Sequence, residues 1–253
     1  MDLGLKDKVA VVVGGSSNIG RATSIRLVQE GAKVVIAYSS NDAKAAQTLK
    51  DIQAEGGEAL LVKGDMTDEA AVDMLFNRAL EVYGQIDILI YSAMLWPTNP
   101  VTDIPISEWQ RTLDVNLTGV FLTNRWVSRY WLKNNRPGKI LNFSSQAAFK
   151  GATTFHSHYA AAKAGVVAFT VSLARELGNK GIVANAIAPG MSLVPGPGAI
   201  VDEQGVDYYK TRIPIGRIGN PFEVADVAVF LVSERNSYMI GATVDVSGGM
   251  LMR

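Results

Sequence analysis

The sequence contains no cysteine among its 253 residues, and it has only two histidines. The absence of cysteine excludes disulfide bonds and thiolate metal ligands, and it fits a reducing compartment. Lysine plus arginine equal aspartate plus glutamate at 24 each, so the charge does not predict a nucleic-acid or membrane surface. The first 15 residues lack the order of a signal peptide, and no window reaches about 18 uninterrupted apolar residues. These absences predict a soluble, cytoplasmic protein with no nucleic-acid partner and no membrane span.

Short β-branched runs alternate along the chain with longer amphipathic stretches. The runs predict seven strands, at residues 8–13, 33–38, 58–63, 86–91, 139–143, 182–187 and 243–246. The stretches between them predict helices at 20–30, 42–55, 68–83, much of 107–134, about 157–177 and 222–233. Because the strands are apolar throughout and helices fall between them, the pattern predicts an α/β protein of the doubly wound, Rossmann-like type. Its seven-stranded parallel sheet would carry helices on both faces.

No proline-, glycine- or serine-rich linker and no charge block divides the chain, so we expect a single domain over residues 1–253. One stretch, at about 190–215, departs from the alternating pattern. It contains Pro195, Pro197 and Pro214 and lacks steady periodicity. We interpret it as a lid or substrate loop inserted before the last helix.

A glycine-rich turn connects the first predicted strand to the first predicted helix. Glycine lets the backbone turn tightly and approach a ligand closely. The helix that follows offers unpaired N–H groups and the positive end of its dipole to a pyrophosphate. An ordinary glycine- and serine-rich turn is the alternative, but the strand and helix on either side favour a dinucleotide site. The candidate residues of the turn are Gly14, Ser16, Ser17, Asn18, Ile19 and Gly20.

Tyr159 and Lys163 are four residues apart, which places them on one face of a helix. An isolated phenol has a pKa near 10, and a neighbouring cation lowers that pKa and makes the phenol a usable acid or base. The spacing alone is weak evidence, because such pairs are common on protein surfaces. Two further features support a catalytic role. Ser144 and Ser145 follow a predicted strand at its carboxyl end, where the sites of α/β proteins form, and Asn116 lies earlier in the chain.

Taken together, these features resemble the short-chain dehydrogenase/reductase family. The turn at 13–20 is similar to the family's T-G-x-x-x-G-x-G motif, with Val13 in place of Thr and Asn18 in place of the middle Gly. The set Asn116, Ser145, Tyr159 and Lys163 matches the family's Asn-Ser-Tyr-Lys tetrad in chain order and approximate spacing. The resemblance extends from residue 8 to about 252. The largest departure is at 91–94, where Tyr-Ser-Ala-Met replaces Asn-Asn-Ala-Gly.

The resemblance implies hydride transfer between a nicotinamide dinucleotide and a ketone or secondary alcohol. Ser145 would polarise the substrate oxygen, and Tyr159 would pass the proton. Lys163 would lower the pKa of Tyr159 and bind the nicotinamide ribose, and Asn116 would hold a water that connects Lys163 to solvent. Alternatives remain for single residues: Ser144 or Ser145 as a cap, and Asn116 as a buried amide that stabilises a helix irregularity.

The resemblance also implies further cofactor contacts. They are Tyr38, Ser39, Ser40, Asp65, Met66, Ser92, Ala93, Tyr159, Lys163, Pro189, Gly190 and Ser192, with Ser192 substituting for a threonine that would fall at about Val194. The second predicted strand ends in uncharged residues, with no carboxylate until Asp42. This favours NADP, since a carboxylate there would repel a 2′-phosphate, and NAD remains possible. Arg21 and Lys44 are the candidate cations for that phosphate.

The substrate is predicted to lie among loops at the carboxyl ends of the strands. The candidate substrate contacts are Met94, Trp96, Ser145, Gln146, Phe155 and Tyr159, with Phe149 as a further aromatic wall. The aromatic residues could equally pack the loops or a subunit interface. His156 and His158 have the spacing of a metal pair, but no third ligand stands nearby, so we expect no metal site.

Two other functions remain open. The tail at 247–250 is similar to those of 3-oxoacyl-carrier-protein reductases, and a basic patch would fit an acidic carrier protein. Its candidates are Arg125, Arg129, Lys133 and Arg136. A non-catalytic dinucleotide-binding sensor is the second alternative. The family resemblance further implies a homotetramer formed through the long middle helices and the C-terminal region.

Overall fold

The fold was described from a computed structural model, in which residues 2–152, 155–193 and 205–252 are described. Its seven strands form one parallel sheet in the order β3-β2-β1-β4-β5-β6-β7. The strands are β1 (Val9–Val13), β2 (Lys33–Tyr38), β3 (Ala59–Lys63), β4 (Ile88–Tyr91), β5 (Gly138–Phe143), β6 (Ile182–Pro189) and β7 (Thr243–Val246). The predicted α/β fold with a seven-stranded parallel sheet is therefore confirmed.

Nine α-helices occur in the described part of the chain. They are α1 (Asn18–Gln29), α2 (Asp42–Ala54), α3 (Glu69–Tyr83), α4 (Ile106–Leu113), α5 (Gly119–Lys133), α6 (Ala147–Lys150), α7 (Ser157–Leu177), α8 (Gly205–Lys210) and α9 (Pro221–Val232). The short helices α6 and α8 were not expected from the sequence. Among the described residues, no helix combines the length and the apolar character needed to cross a membrane.

Both faces of the sheet are covered by apolar side chains. Along β1, Val11 and Val13 contribute to one core cluster, whereas Ala10 and Val12 contribute to the other. Helices α3, α5 and α7 contribute to one cluster, and α1, α2 and α9 contribute to the other. Strands buried on both faces need apolar side chains at every position, which explains why the sequence shows continuous rather than alternating runs.

The strand order reverses its direction between β1 and β4. Val13 at the end of β1 lies between Ala37 of β2 and Tyr91 of β4 in the sheet register. The connections leave these two strands toward opposite sides, so a crevice opens at their carboxyl ends. The fold thus positions a ligand site beside the glycine-rich turn that follows β1.

The predicted helix over 107–134 is wrong in one respect. The structure has two helices, α4 and α5, joined by a π-helical turn at Asp114–Thr118. Asn116 is fully buried in this turn. The alternative in which Asn116 is a buried amide at a helix irregularity therefore describes its surroundings. The proposed substrate loop at 190–215 is described only in part, since Val194, Pro195 and Pro197 lie outside the described residues.

Candidate active site

A cavity of about 710 Å³ lies at the carboxyl edge of the sheet. The last residues of five strands line it: Val13, Tyr38, Tyr91, Phe143 and Pro189. Most of the predicted site residues also line it, namely Gly14, Ser16, Ser17, Asn18, Ile19, Ser39, Ser40, Asp65, Met66, Ser92, Ala93, Met94, Trp96, Ser145, Gln146, Tyr159, Lys163, Gly190 and Ser192. Among the predicted tetrad, cofactor and substrate contacts, Gly20, Asn116 and Phe155 lie outside the lining, and so do the further candidates Arg21 and Phe149. The structure thus brings most of the predicted cofactor residues and three of the four predicted tetrad residues to one cavity.

The glycine-rich turn depends on close backbone approaches. Gly14 has a φ of +77°, and a Cβ there would lie 2.6 Å from the backbone nitrogen of Ala93. A Cβ at Gly20 would overlap the carbonyl oxygen of Gly14. Asn18, in place of the family's middle glycine, adopts a φ of 46°, in the left-handed region that asparagine tolerates. Ser17 precedes α1 and makes no side-chain cap, so this helix start keeps N–H groups available for a ligand.

Hydrogen bonds from the adjacent strands and from α2 hold the glycine-rich turn in place. Gly14 N–H donates to the Ala37 carbonyl at 2.8 Å. The Thr48 hydroxyl of α2 donates to the Ser16 carbonyl at 3.1 Å. Val13, which replaces the family's threonine, is buried, and its carbonyl accepts from Ser92 N–H at 2.8 Å. The turn is therefore held by backbone pairing on both sides without the hydroxyl that Val13 lacks.

The two neighbouring serines have different surroundings. The Ser144 hydroxyl donates to the Lys163 carbonyl at 2.9 Å and so joins β5 to α7. The Ser145 hydroxyl accepts from Ala147 N–H at 3.1 Å and is hydrogen-bonded to Tyr159. Ser145 is thus the serine that meets the phenol, and Ser144 connects two elements of the fold.

Tyr159 and Lys163 lie on the first two turns of α7 and are buried, with 7% and 1% of their surfaces exposed. The Lys163 ammonium donates to the Phe143 carbonyl at 2.7 Å and lies 5.7 Å from the centre of the Tyr159 ring. Burial raises the pKa of Tyr159 to about 12, although its hydrogen bond with Ser145 acts in the opposite direction. Burial also lowers the pKa of Lys163 to about 7. The expected lowering of the Tyr159 pKa is therefore not seen here, because burial penalises both charged forms.

The Asn116 amide is occupied by backbone groups. Its nitrogen donates to the carbonyls of Leu95, at 2.7 Å, and Thr112, at 2.9 Å. Its oxygen accepts from Leu95 N–H at 3.3 Å. The side chain thus fastens the loop after β4 to the π turn.

Charged groups surround the end of the cavity that follows β2 and β3. The Asp42 carboxylate accepts from the Lys63 ammonium at 2.7 Å and from the Tyr38 hydroxyl at 3.0 Å, and these hydrogen bonds lower the pKa of Asp42. Arg21 pairs with Asp51 of α2 at 2.5 Å and does not line the cavity. The expectation that Arg21 serves as the phosphate cation is thus corrected by this ion pair.

Lys44 does line the cavity, beside Ser39 and Ser40. Within the described part of the chain, its ammonium has no acidic partner at ion-pair distance. It is the basic side chain of this region that a bound anion would meet.

Arg111 of α4 is a cavity residue that sequence reasoning missed. Its guanidinium donates to Asp65 at 2.6 Å and to the Thr67 hydroxyl at 3.0 Å. Burial tends to raise the pKa of Asp65, but hydrogen bonds from Thr67 and Arg111 outweigh it and hold that pKa below its ordinary value. No local pattern connects Asp65 with an arginine in a distant helix, so only the fold reveals this pair.

An aromatic wall stands on the substrate side. Trp96 stacks on His156 with ring centres 4.3 Å apart, and His156 Nδ1 lies 2.7 Å from the Pro97 carbonyl. Phe155 is 57% exposed and does not line the cavity, so its prediction as a substrate contact is not supported by its position. Phe149 also lies outside the lining. The cavity is also lined by Leu95, Lys150, His156, Leu193, Tyr209 and Met250.

The second histidine has a separate environment. His158 is fully buried, and its Nε2 lies 3.2 Å from a carboxylate oxygen of Glu108 on α4. Across the described residues, no cluster of three potential metal-ligating side chains occurs.

The predicted basic patch, in and just past α5, is partly neutralised. Arg125 pairs with Glu69 of α3 at 2.8 Å, and Arg136 pairs with Asp87 at 3.2 Å. Both arginines are thus compensated within the chain, which weakens the expected attraction for an acidic carrier protein.

Comparison with known proteins agrees with this geometry. A family model described as enoyl-(acyl carrier protein) reductase matches residues 13–251. The chain is 36% identical to a 3-oxoacyl-(acyl-carrier-protein) reductase from Synechocystis over 98% of both chains. This chain belongs to the short-chain dehydrogenase/reductase family. Other relatives are 3beta-hydroxysteroid dehydrogenase 1 from Eggerthella lenta (38% identity, 98% and 95% coverage) and L-rhamnose 1-dehydrogenase (NAD(P)(+)) from a Sphingomonas species (34%, 97% of both).

Solved structures of the family share the fold closely. A dehydrogenase/reductase from Sinorhizobium meliloti has a TM-score of 0.91 at 28% identity, covering 99% of this chain and 98% of the other. A short-chain type dehydrogenase/reductase from Mycobacterium marinum has the same score and identity, covering 100% and 98%. As a short-chain dehydrogenase/reductase, the chain is an oxidoreductase, and the alternative of a non-catalytic sensor is wrong.

Proposed function

We propose that this enzyme transfers a hydride between the nicotinamide of NADP and a ketone or secondary alcohol, with Tyr159 passing the proton. The observation that carries the proposal is the convergence of Ser145, Tyr159 and Lys163 on the cavity that begins at the glycine-rich turn. A phenol, a hydroxyl and an ammonium at the carboxyl edge of a doubly wound sheet are suited to carbonyl reduction and alcohol oxidation.

The residues present fit a dinucleotide. In the glycine-rich turn, Cβ atoms at Gly14 and Gly20 would overlap backbone atoms, so only glycine allows this tight path. The start of α1 has no side-chain cap, so its N–H groups can bind a phosphate. The pyrophosphate would lie against this turn, the adenine beside Asp65 and Met66, and the nicotinamide ribose at Tyr159 and Lys163. Ser92, Ala93, Pro189, Gly190 and Ser192 would border the nicotinamide end. When bound, the nicotinamide gives or accepts the hydride.

The protein's side chains manage the proton and the substrate oxygen. Ser145 donates a hydrogen bond to that oxygen and positions it beside the phenol. In reduction, neutral Tyr159 gives its proton to the carbonyl oxygen as the carbon receives the hydride, and in oxidation the proton returns to the phenolate. The protonated form of Lys163, which a pKa of about 7 leaves partly populated at neutral pH, stabilises the phenolate electrostatically. Asn116 contributes by holding Leu95 at the edge of the cavity.

A preference for NADP over NAD is proposed from the end of β2. Ser39 and Ser40 are uncharged, and Lys44 lines the cavity with no acidic partner among the described residues. Asp42, the nearest carboxylate in sequence, is engaged by Lys63 and does not line the cavity. A 2′-phosphate would therefore meet hydroxyls and an ammonium rather than a free carboxylate.

A 3-oxoacyl thioester is the second candidate substrate, because the Synechocystis relative is named for such a substrate. Arg125 and Arg136, which would form half of the predicted carrier-protein patch, are compensated by acidic side chains. We therefore place a free ketone or secondary alcohol first. A panel of cyclic ketones, aromatic-ring alcohols, sugars and an acyl thioester, followed at the reduced-nicotinamide absorbance with both cofactors, separates these candidates.

We also propose that residues 1–253 form one domain and that four copies assemble. All seven strands share one sheet with core on both faces. On the outer surface, Phe121 of α5 is 40% exposed and contacts Phe169 of α7 edge to face. Light scattering is expected to give the mass of a tetramer, and a monomer mass would contradict this assembly.

The substitution Tyr159→Phe tests the mechanism most directly. It removes the proton donor but keeps the ring, so turnover should fall to background while NADPH binding, measured by fluorescence titration, persists. The control is Tyr83→Phe, at the end of α3 and away from the cavity, which should keep full turnover. Near-normal turnover by Tyr159→Phe would overturn the mechanism.

A further inference from the structure

The π turn at Asp114–Thr118 leaves one backbone carbonyl without its ordinary partner. In an α-helix the N–H of Gly119 would donate to the carbonyl of Val115, four residues back. Here Gly119 N–H donates to Asp114 instead. A buried carbonyl without a donor is costly, so this turn needs a hydrogen bond from elsewhere in the fold.

Tyr91 supplies that hydrogen bond. It ends β4, is 1% exposed, and its hydroxyl donates to the Val115 carbonyl at 2.8 Å. Burial raises the pKa of Tyr91, so the phenol stays neutral and remains a donor. A Cβ at position 119 would overlap the Tyr91 hydroxyl, so the glycine there makes room for it. Tyrosine at 91 and glycine at 119 are therefore sterically complementary.

The π turn also contains Asn116, the residue that fixes the substrate side of the cavity. Asn116, next to Val115, makes hydrogen bonds through its amide to both the N–H and the carbonyl of Leu95. Leu95 and the stacked Trp96 line the cavity. A shift of the turn would thus move this wall.

We infer that Tyr91 is a positioning residue, whose hydroxyl keeps the π turn in register so that Asn116 holds Leu95 and Trp96 at the substrate. This inference rests on the proposed function, because it concerns the substrate wall of the same site. The side chain acts through the turn and makes no contribution of its own to proton transfer. Where the family pattern has asparagine at this position, the present chain uses a phenol from the strand end to satisfy the turn.

The test compares Tyr91→Phe with Trp131→Phe. Trp131 of α5 also gives a buried hydrogen bond to a carbonyl, that of Ile86 at 2.7 Å, but at the opposite edge of the sheet. Tyr91→Phe should lower kcat/KM for the best substrate of the panel about tenfold, chiefly through KM, while the Kd for NADPH stays within twofold. Trp131→Phe should lower the melting temperature at least as much as Tyr91→Phe does. It should leave kcat/KM per folded molecule within twofold of the parent value.

Hydrogen exchange gives a readout that needs no turnover. In Tyr91→Phe the backbone amides of residues 93–96 and 114–119 should exchange faster than in the parent, and in Trp131→Phe they should not. Combining Tyr91→Phe with Asn116→Ala should reduce kcat/KM no further than Asn116→Ala alone, since both act through one turn.

Unchanged exchange in these segments would overturn the inference, as would multiplicative losses in the double variant. Equal losses of kcat/KM in Tyr91→Phe and Trp131→Phe would do the same. Failure of the proposed function would be seen in a different experiment, as turnover retained by Tyr159→Phe.

Discussion

The two ends of the cavity are stabilised in different ways. At the α7 end, Ser145, Tyr159 and Lys163 are buried, and burial moves the pKa of Tyr159 to about 12 and that of Lys163 to about 7. At the β2 end, Asp42 and Lys63 are exposed, and hydrogen bonding between them is the main cause of their pKa shifts. Exposed pairs contribute little stability, whereas buried polar groups are costly unless paired. Changes at the buried end should therefore alter rate and stability, and changes at the exposed end should alter the choice of cofactor.

After Tyr159→Phe, the largest expected effect separates the two adjacent serines at the buried end. Ser145→Ala removes the hydroxyl that meets Tyr159, and kcat should fall by roughly 10²–10³, as for loss of an oxyanion donor. Ser144→Ala removes a hydrogen bond to the Lys163 carbonyl, and its main effect should be a loss of about 1 kcal/mol in the free energy of unfolding. Steady-state kinetics and urea unfolding measure both. The reverse order of effects on kcat would refute the assignment of Ser145.

A smaller effect concerns the burial of Lys163, whose pKa falls from 10.5 to about 7 on folding. Between these values the unfolded chain binds more protons than the folded one, so this lysine makes stability rise with pH. Relative to Lys163→Met, the parent's free energy of unfolding should rise by about 1.4 kcal/mol per pH unit from roughly pH 7.5 to 9.5. Urea unfolding across this range checks the slope.

The control for this slope is Lys180→Met, an exposed lysine just beyond α7. If the difference in free energy of unfolding between the parent and Lys163→Met does not change with pH, burial leaves the pKa of Lys163 unaffected. The window ends below pH 10, because the lysine of the unfolded chain loses its own proton around its ordinary pKa of 10.5 and the slope then vanishes.

The smallest expected effect lies at the exposed end. Lys44→Ala should raise the KM for NADPH roughly fivefold and leave the KM for NADH unchanged, since an exposed charge contact is worth about 1 kcal/mol. Lys50→Ala, on the same helix but outside the cavity lining, is the matched control. If Lys44→Ala weakens both cofactors equally, or if the parent prefers NADH, the proposed NADP preference is incorrect.

The fold could be predicted well from the sequence because buried parallel strands leave a direct record in it. Each β-branched run near 8–13, 33–38 or 182–187 became a strand, and the glycine after each of the first three helices closely matched its end. The tetrad residues Ser145, Tyr159 and Lys163 could be selected because they follow strand ends or share a helix face. Those relations depend on local spacing, which a sequence shows.

Other features could not be predicted, because their causes lie far away in the chain. Helical periodicity continues smoothly across the π turn. The break is accompanied by hydrogen bonds from the Tyr91 phenol to the Val115 carbonyl and from the Asn116 amide to the Thr112 carbonyl at the end of α4. Arg111 reaches Asp65 across 46 positions, and Arg21 is diverted to Asp51. Phe155, an expected substrate wall, faces outward instead.

By itself, the sequence determined the strand and helix order, the position of the dinucleotide turn, and the pairing of Tyr159 with Lys163. Hydrophobic periodicity and short-range spacing are sufficient for those features. The tertiary structure decided how deeply each site side chain is buried and which distant side chains form hydrogen bonds with each other. Burial sets the pKa values of Tyr159 and Lys163, and it depends on every element packed around α7. The pair that seemed a simple cation and phenol is, in the folded protein, two groups that desolvation drives toward neutrality.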